Sequence, residues 1–533
     1  MKLRSLAQSL TLIFALAVPA MGQGNDALRD YRYIVSTNSF LKLDNAAGIG
    51  RLPIGRIAVA NGEFSKGNGG LKGPDDSAND WQGGVATESY IRISDKVAFY
   101  GRMDYSYFQG EEMGGSLLAG SSSAPLNFYE SVDTTAGRRN REMYDLTGAM
   151  AYTFNPRWSA GVKVNYRTGN RSKMRDPRSR SSLMDIDVSA GTYWSPSSKT
   201  TLGAALAFSR NLEALYTRQY GVTDKTYYIN VDYGDCYGIR EIFMGDEGFV
   251  SLSNARYLDN TRLGGSLQLH RQGRTERFHQ LSYRLRSGYF GKRASSSVVF
   301  CEFGGHELSY GGELLSRRND ATDRFSLDAD FGLLNNNLNV YQKVTEPGKP
   351  TVVTYVGKNN IRSTIDASAR LGWDAWRGVQ NYRAKTTFGA AVEGSFYQGV
   401  TTIYPHERTA QIITLNAAGY GERSLRRGVR DILTLRAEGS FLMGFGNPAS
   451  DRQLATSSSP APLSFDDRLN AQFEYETAPR AGLGIGCTYT RIFTEKFAAY
   501  VRLQDGLMAL LSAPQYLDGR VRNVATLTVG CTF

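Results

Sequence analysis

The side chains that most often perform catalysis or hold metal are scarce in this chain. Its 533 residues include four histidines, His270, His279, His306 and His406. Nucleophilic catalysis needs a histidine beside an activated serine or acid, and no protease or phospholipase signature surrounds any of the four. His270 and His279 flank one short turn, yet two imidazoles without a third ligand are weak grounds for a metal. Gly482, Gly484 and Gly486 precede no helix, so they are close-packing positions and no phosphate cradle. The stretch 210–260 sets Tyr216, Tyr220, Tyr227, Tyr228, Tyr233, Tyr237 and Tyr257 among Asp232, Asp235, Asp246 and Glu247. Flat tyrosine area suits a ligand or a self-packed cap, and the carboxylates suit a hard cation, but calcium-loop spacing is absent. The expectation is a protein that is not an enzyme, with no catalytic residue, cofactor or metal.

What remains is charge at regular spacing. Arg102, Asp104, Asp145, Lys163, Asp185, Asp187, Arg284, Arg286, Asp366, Arg370, Arg383, Lys385, Glu393, Arg436 and Glu438 alternate with oily neighbours. In residues 142–154, Tyr144, Leu146, Gly148, Met150, Tyr152 and Phe154 share one face, opposite Asp145, Thr147, Ala149, Ala151 and Thr153. The turn Asn155-Pro156-Arg157 follows, and Trp158, Ala160, Val162, Val164 and Tyr166 repeat the pattern. A period of two marks strands with unlike faces, joined here as a hairpin. Charges on one face of such strands line a watery interior and set ion preference, or pair across strands. A slight positive excess among them suggests weak anion preference.

The elements that position these charges recur from residue 55 to the end. Large aromatics sit at the ends of the apolar faces: Tyr144 and Phe154, Trp158 and Tyr166, then Trp194, Trp373, Tyr382, Phe396, Tyr489 and Phe497. Aromatic girdles around an aliphatic band are the pattern of a transmembrane barrel, whereas a soluble core would concentrate large rings in its middle. Short turns also alternate with long polar connections, near 109–141, 168–182, 210–260, 291–360 and 446–477, as external loops and periplasmic turns do.

The first residues carry Lys2 and Arg4, an apolar stretch from Leu10 to Ala20, and small residues at Ala20 and Gly22. These are the three parts of an export signal, too short to span a bilayer. Cleavage after Gly22 leaves Gln23 first, with no cysteine for a lipid anchor. The formal charge of +11 includes two from Lys2 and Arg4. A basic exported surface suits anionic partners such as lipopolysaccharide phosphates better than nucleic acid. Arg171, Lys173, Arg175 and Arg178, opposed only by Asp176, read as a phosphate grip or a solvated loop tip. Cys487 and Cys531 fall in strands, while Cys236 and Cys301 fall on one side of the membrane, where a bridge is open to them.

The last residues place Asn523, Ala525, Leu527, Val529, Cys531 and Phe533 on one face. This resembles the terminal strand of bacterial outer-membrane proteins, whose barrel-assembly machinery reads a final aromatic such as Phe533. The Gly- and Tyr-rich loops and Gln23 are similar to those of uncharacterised outer-membrane barrels of Bacteroidota, a resemblance that implies location in the cell outer membrane, in contact with lipid and lipopolysaccharide, and no known activity.

The reading is an all-β chain: one transmembrane antiparallel β-barrel of about sixteen strands, range about fourteen to eighteen. The upper figure would come from residues 303–345, where Phe325, Leu327, Ala329, Phe331 and Leu333 alternate with Ser326, Asp328, Asp330 and Gly332. Residues 1–22 are the signal, 23–54 a periplasmic lead and 55–533 the barrel. Its expected function is a channel or a component of an uptake system for small solutes, with an unidentified partner; the alternative is a non-conducting barrel whose loops bind a ligand or protein. A TonB-dependent receptor would need a larger barrel and a separate plug domain, for which 23–54 is too short.

Overall fold

A sheet with one oily and one polar side loses its unpaired edges only by closing on itself. The computed structural model describes residues 29–533 apart from 43, 121–123, 131–135, 222–223, 244–247, 252–253 and 427–429. The expected export signal with Lys2, Arg4 and Gln23, and the carboxylates Asp246 and Glu247, lie outside the described residues.

In chain order the strands are β1 (Arg56–Asn68), β2 (Asn79–Arg92), β3 (Val97–Met113), β4 (Asn127–Glu130), β5 (Gly137–Asn155), β6 (Trp158–Lys173), β7 (Arg178–Ser197), β8 (Thr200–Arg218), β9 (Tyr228–Gly234), β10 (Tyr237–Ile242) and β11 (Arg256–Arg271). They continue as β12 (Thr275–Gly291), β13 (Val299–Arg317), β14 (Ala321–Val344), β15 (Val352–Arg377), β16 (Thr386–Ile403), β17 (His406–Arg426), β18 (Asp431–Gln453), β19 (Leu463–Ser464), β20 (Arg480–Thr494), β21 (Phe497–Leu510) and β22 (Val521–Thr532). The short strands β4, β9, β10 and β19 form a separate sheet. The other eighteen described strands form one antiparallel barrel, closed where β22 pairs with β1. Phe533 completes the seam, exchanging backbone hydrogen bonds of 3.0 and 2.8 Å with Ala58.

Eighteen strands replace the expected sixteen because the stretch 291–360, read as a connection, contains the hairpin β13–β14. Glycines at 304, 305, 311 and 312 and an outward His306 blur the two-residue period of β13. The stretch 168–182 is likewise no loop: β6 and β7 extend through it to a turn at 174–177. Long connections remain at 114–136, 219–255 and 454–479, all at one end, where they build the small sheet and the helix α2 (Asp466–Thr477).

The oily faces point outward. Leu206, Leu263, Leu267, Leu371, Leu483 and Ile485 are 61–74% exposed, and the ring-bearing Phe154, Trp158, Trp194 and Tyr489 are 40–58% exposed. Tyr382 is an exception, since it belongs to the connection 378–385 with a positive φ of 60° and no part of a girdle. None of the described helices is long and apolar enough to cross a membrane. The buried core lies inside the barrel, in two clusters at each end. All four cysteines are free, so Cys236 and Cys301, buried in different clusters, are not bridged.

Candidate functional site

An eighteen-stranded barrel is wide enough for an aqueous channel unless something fills it. At the end with short turns it is filled by residues 30–54. Asp30 caps the helix α1 (Tyr31–Ser36) by accepting from the Arg32 and Tyr33 amides. Arg32 pairs with Glu422 of β17 at 3.0 Å, and Tyr33 hydrogen-bonds Thr322 of β14 at 2.9 Å. The chain then crosses the lumen, where the Asn45 amide donates to Gln268 of β11 at 2.9 Å and to the Thr192 carbonyl of β7 at 3.0 Å. Arg51 stacks on Phe40, 4.5 Å from its ring centre. The wall beneath this segment is built from the smallest residues: Ala98, Ala149, Ala151, Gly161 and Gly191. A Cβ at Gly161 would stand 2.3 Å from the Ala47 nitrogen.

The small sheet and α2 pack across the other end. Phe128, Ile229, Val231 and Phe249 pack in one cluster with the wall residues Phe290, Cys301 and Phe303. Glu130 of β4 is clamped between Arg139 and Lys173, all three side chains being almost fully buried. Burial alone would raise the Asp75 carboxyl, yet Arg468 of α2 at 2.6 Å holds it below the usual aspartate range. Asp232 has no such close cation: burial pushes its carboxyl up to about 6, against the pull of Arg362. Burial also raises the Cys236 thiol well above its ordinary value, leaving an unreactive small hydrophobe.

Between plug and cap, on the side of β13–β22, a chamber of about 780 Å3 remains. It exists because one level of the wall carries minimal side chains in register: Gly372 opposite Ala391, Ala391 opposite Ala418, Ala418 opposite Ser440, and Ser440 opposite Gly482. Lys42 of the plug and Tyr475 of α2 bound it below and above, and Arg324, Asp328, Arg370, Asp374, Arg436 and Glu438 line it. A second cavity of about 580 Å3, farther toward the cap, is lined by Arg286, Glu307, Asp330, Arg362 and Asp366. On β15 the step from one cavity to the other is from Ser368 to Arg370.

The sequence model of a family of unknown function, DUF6850, matches residues 46–533. This chain belongs to that family. No curated protein matches it. Solved structures to which it is similar include a ferric enterobactin receptor (PfeA) mutant from Pseudomonas aeruginosa, at 9% identity and a TM-score of 0.37 over 89% of this chain and 80% of that one. The ferric preacinetobactin receptor BauA from Acinetobacter baumannii gives 9% and 0.36 over 90% and 80%. A FadL homologue from Pseudomonas aeruginosa gives 10% and 0.31 over 92% and 93%.

In this DUF6850 protein the charged residues expected inside the barrel separate into three groups. Arg370, Arg436 and Glu438 border the chamber, and Arg286 and Asp366 the second cavity. The others on β3–β12 pair within the wall: Arg102 with Asp104 at 3.4 Å, Asp145 with Arg167 at 2.8 Å, and Asp187 with both Lys163 and Arg284 at 4.0 Å. Asp185 faces Arg167 in register, and Glu393 faces Arg370. Arg383 and Lys385 are not wall residues, because β16 begins only at Thr386 and both lie in the connection 378–385.

The basic stretch around Asp176 offers no phosphate grip in this structure. Lys173 is buried against Glu130, and the Arg171 and Arg175 guanidiniums donate to the Leu118 and Ala136 carbonyls. His270 and His279 do not approach as ligands, since adjacent positions of paired strands face opposite ways. His270 packs inward on Phe40, 4.7 Å between ring centres, and His279 turns outward to Tyr310 at 2.8 Å. Among the described residues no cluster of His, Cys, Asp and Glu is arranged to hold a metal. Sequence reasoning missed Lys42, Glu313, Arg324 and Asp374. Arg324 and Asp374 occupy the charged positions of strands whose alternation was visible, whereas nothing in the lead marked Lys42 as a lumen residue.

Proposed function

We propose that this protein spans the outer membrane and works as an uptake barrel for small polar solutes, closed at rest by its own N-terminal segment. The reading rests on one observation: the lumen holds a charged chamber between a plug and a cap. Exposed leucines on the outer face fit lipid contact, and the alternating charges of the chamber fit a polar solute, since they would solvate it in the absence of bulk water. Passage then requires residues 30–54 to leave the smooth patch of wall on which they pack. The export signal at 1–22, assembly through Phe533, and contact with lipopolysaccharide belong to the same reading.

Planar-bilayer recording tests it. The full chain should give little or no steady current, and a chain lacking residues 23–54 should give large, stable openings. A deletion variant that inserts as a folded barrel and still passes no current would overturn the transport reading in favour of a non-conducting surface barrel.

A further inference from the structure

The outward face is not uniformly oily. On β8, β11 and β12 its exposed band reads Leu206, Leu263, Leu267, Leu281 and Leu285. Around the closure seam the same face carries charge. Asp505 of β21 stands outward between Leu503 and Leu507, both exposed, on a strand whose outward positions are otherwise apolar. Its register partner is Ala525 of β22, and the register partner of Ala525 on the other side is Lys66 of β1. An acid and a base of opposite sign therefore flank a small, exposed alanine in one row across three strands. Within the chain they do not pair: Asp505 accepts from the Asn523 amide at 3.0 Å, and Lys66 turns to Asn79.

We propose that this face binds a second copy of the chain, forming a twofold dimer about an axis along the membrane normal that passes beside Ala525. Such an axis keeps every residue at its depth and exchanges left for right, so Lys66 of each copy faces Asp505 of the other. Neighbouring strands are about 4.8 Å apart and tilted about 40°, which sets the two charges about 6 Å apart in depth. The four-carbon stem of a lysine covers that difference. Ala525 at the centre lets the walls approach closely, while Leu503, Leu527 and Phe64 form an apolar floor beneath the charged row. Bilayer lipid suits none of this as well. Hydrocarbon leaves the Asp505 carboxylate with the Asn523 amide but no cation on an apolar surface, and a headgroup phosphate that satisfies Lys66 is repelled by Asp505. A second copy supplies both opposite charges at once, with no net charge left over.

The inference rests on the membrane reading above, and its test separates the two. The full-length chain is purified from membranes in mild detergent and its protein mass measured by sedimentation. In parallel, Ala525→Cys is made in a Cys487→Ser, Cys531→Ser background and oxidised in intact membranes. The expected results are the mass of a dimer and a disulfide-linked dimer on a denaturing gel. Asp505→Lys and Lys66→Asp should each cut the dimer fraction at least tenfold, and the double exchange should restore it, which a merely misfolded variant would not do. A membrane-embedded monomer, or a dimer indifferent to the single exchanges, overturns the dimer and leaves the barrel reading standing. A chain that stays dissolved without detergent overturns both.

Discussion

Asn45 and Gln268 meet inside the barrel, with the Asn45 amide 2.9 Å from the Gln268 side-chain oxygen. They can do so only because position 191 is glycine, where a Cβ would sit 2.4 Å from the Asn45 side-chain oxygen. Gly191→Val should push the N-terminal segment off the wall at a cost of about 1–3 kcal/mol, the usual range for overpacking. Trypsin cleavage after Arg32, Lys42 and Arg51 in the folded barrel reports the change. Unchanged protection of these sites would show that the plug is held elsewhere.

At the opposite end, Glu130 faces two cations. Its carboxylate pairs with Arg139 and Lys173 where all three side chains are almost fully buried. Removing one partner of a buried pair leaves an uncompensated charge and costs about 3–5 kcal/mol. Glu130→Gln should therefore loosen the cap by that order, and Lys173→Met by less, because Arg139 still satisfies Glu130. Hydrogen exchange at β4 and β9 is the measurement, and equal effects of the two substitutions would refute the assignment.

Cap docking should also depend on pH. Asp232 titrates near 6 when the cap is seated, and near the ordinary 3.8 when it is open. The seated form thus holds its proton more tightly, so docking strengthens as pH falls from about 7 to about 4 and levels off below that. The difference is worth about 3 kcal/mol at most, at about 1.4 kcal/mol per pH unit. Asp75, held low by Arg468, acts in the opposite sense and only below the usual aspartate range. Asp232→Asn keeps an oxygen for the Gly234 and Tyr237 amides. It should dock more firmly at pH 7.5 and lose the dependence between 4 and 7. Parallel pH profiles of opening for the two proteins would rule Asp232 out as the cause.

Whether a strand is seen in sequence depends on whether both of its faces are distinct. β5 was legible because Leu146, Met150 and Tyr152 alternate with Asp145, Thr147 and Thr153. β13 was not, because glycines at four positions and an outward His306 weaken the contrast. The packing of residues 30–54 was not legible. Their docking surface is a set of small residues, Ala149, Ala151, Gly161 and Gly191, that belong to the polar face of the alternation and look there like ordinary fillers. Smallness on an inward face marks either a void or an occupant, and only the folded chain distinguishes the plug on β5–β7 from the chamber along Gly372, Ala391, Ala418 and Gly482. The cap escaped for another reason: β4, β9, β10 and β19 are two to seven residues long, too short for a period to show.

The chamber contains two kinds of arginine, and they should respond differently to truncation. Arg324 pairs with Asp374 at 2.6 Å, lies 3.5 Å from Glu313, and donates to the Ser36 carbonyl of the plug at 3.0 Å. Arg370 forms no ion pair with any described residue, although Asp328 and Glu393 flank it in register. Arg324→Ala leaves Asp374 without its cation, while Lys42 at 2.9 Å still holds Glu313, and it removes a plug anchor, so it should lower unfolding stability by about 1–3 kcal/mol and raise leak current. Arg370→Ala breaks no pair and should stay within about 0.5 kcal/mol of the parent. With the plug removed, however, it subtracts a free cation from the lining of the chamber, and the reversal potential across a KCl gradient should move toward cation preference. If Arg370→Ala destabilises the barrel as much as Arg324→Ala and leaves the reversal potential where it was, the side chain is a wall brace and the chamber does not read charge there.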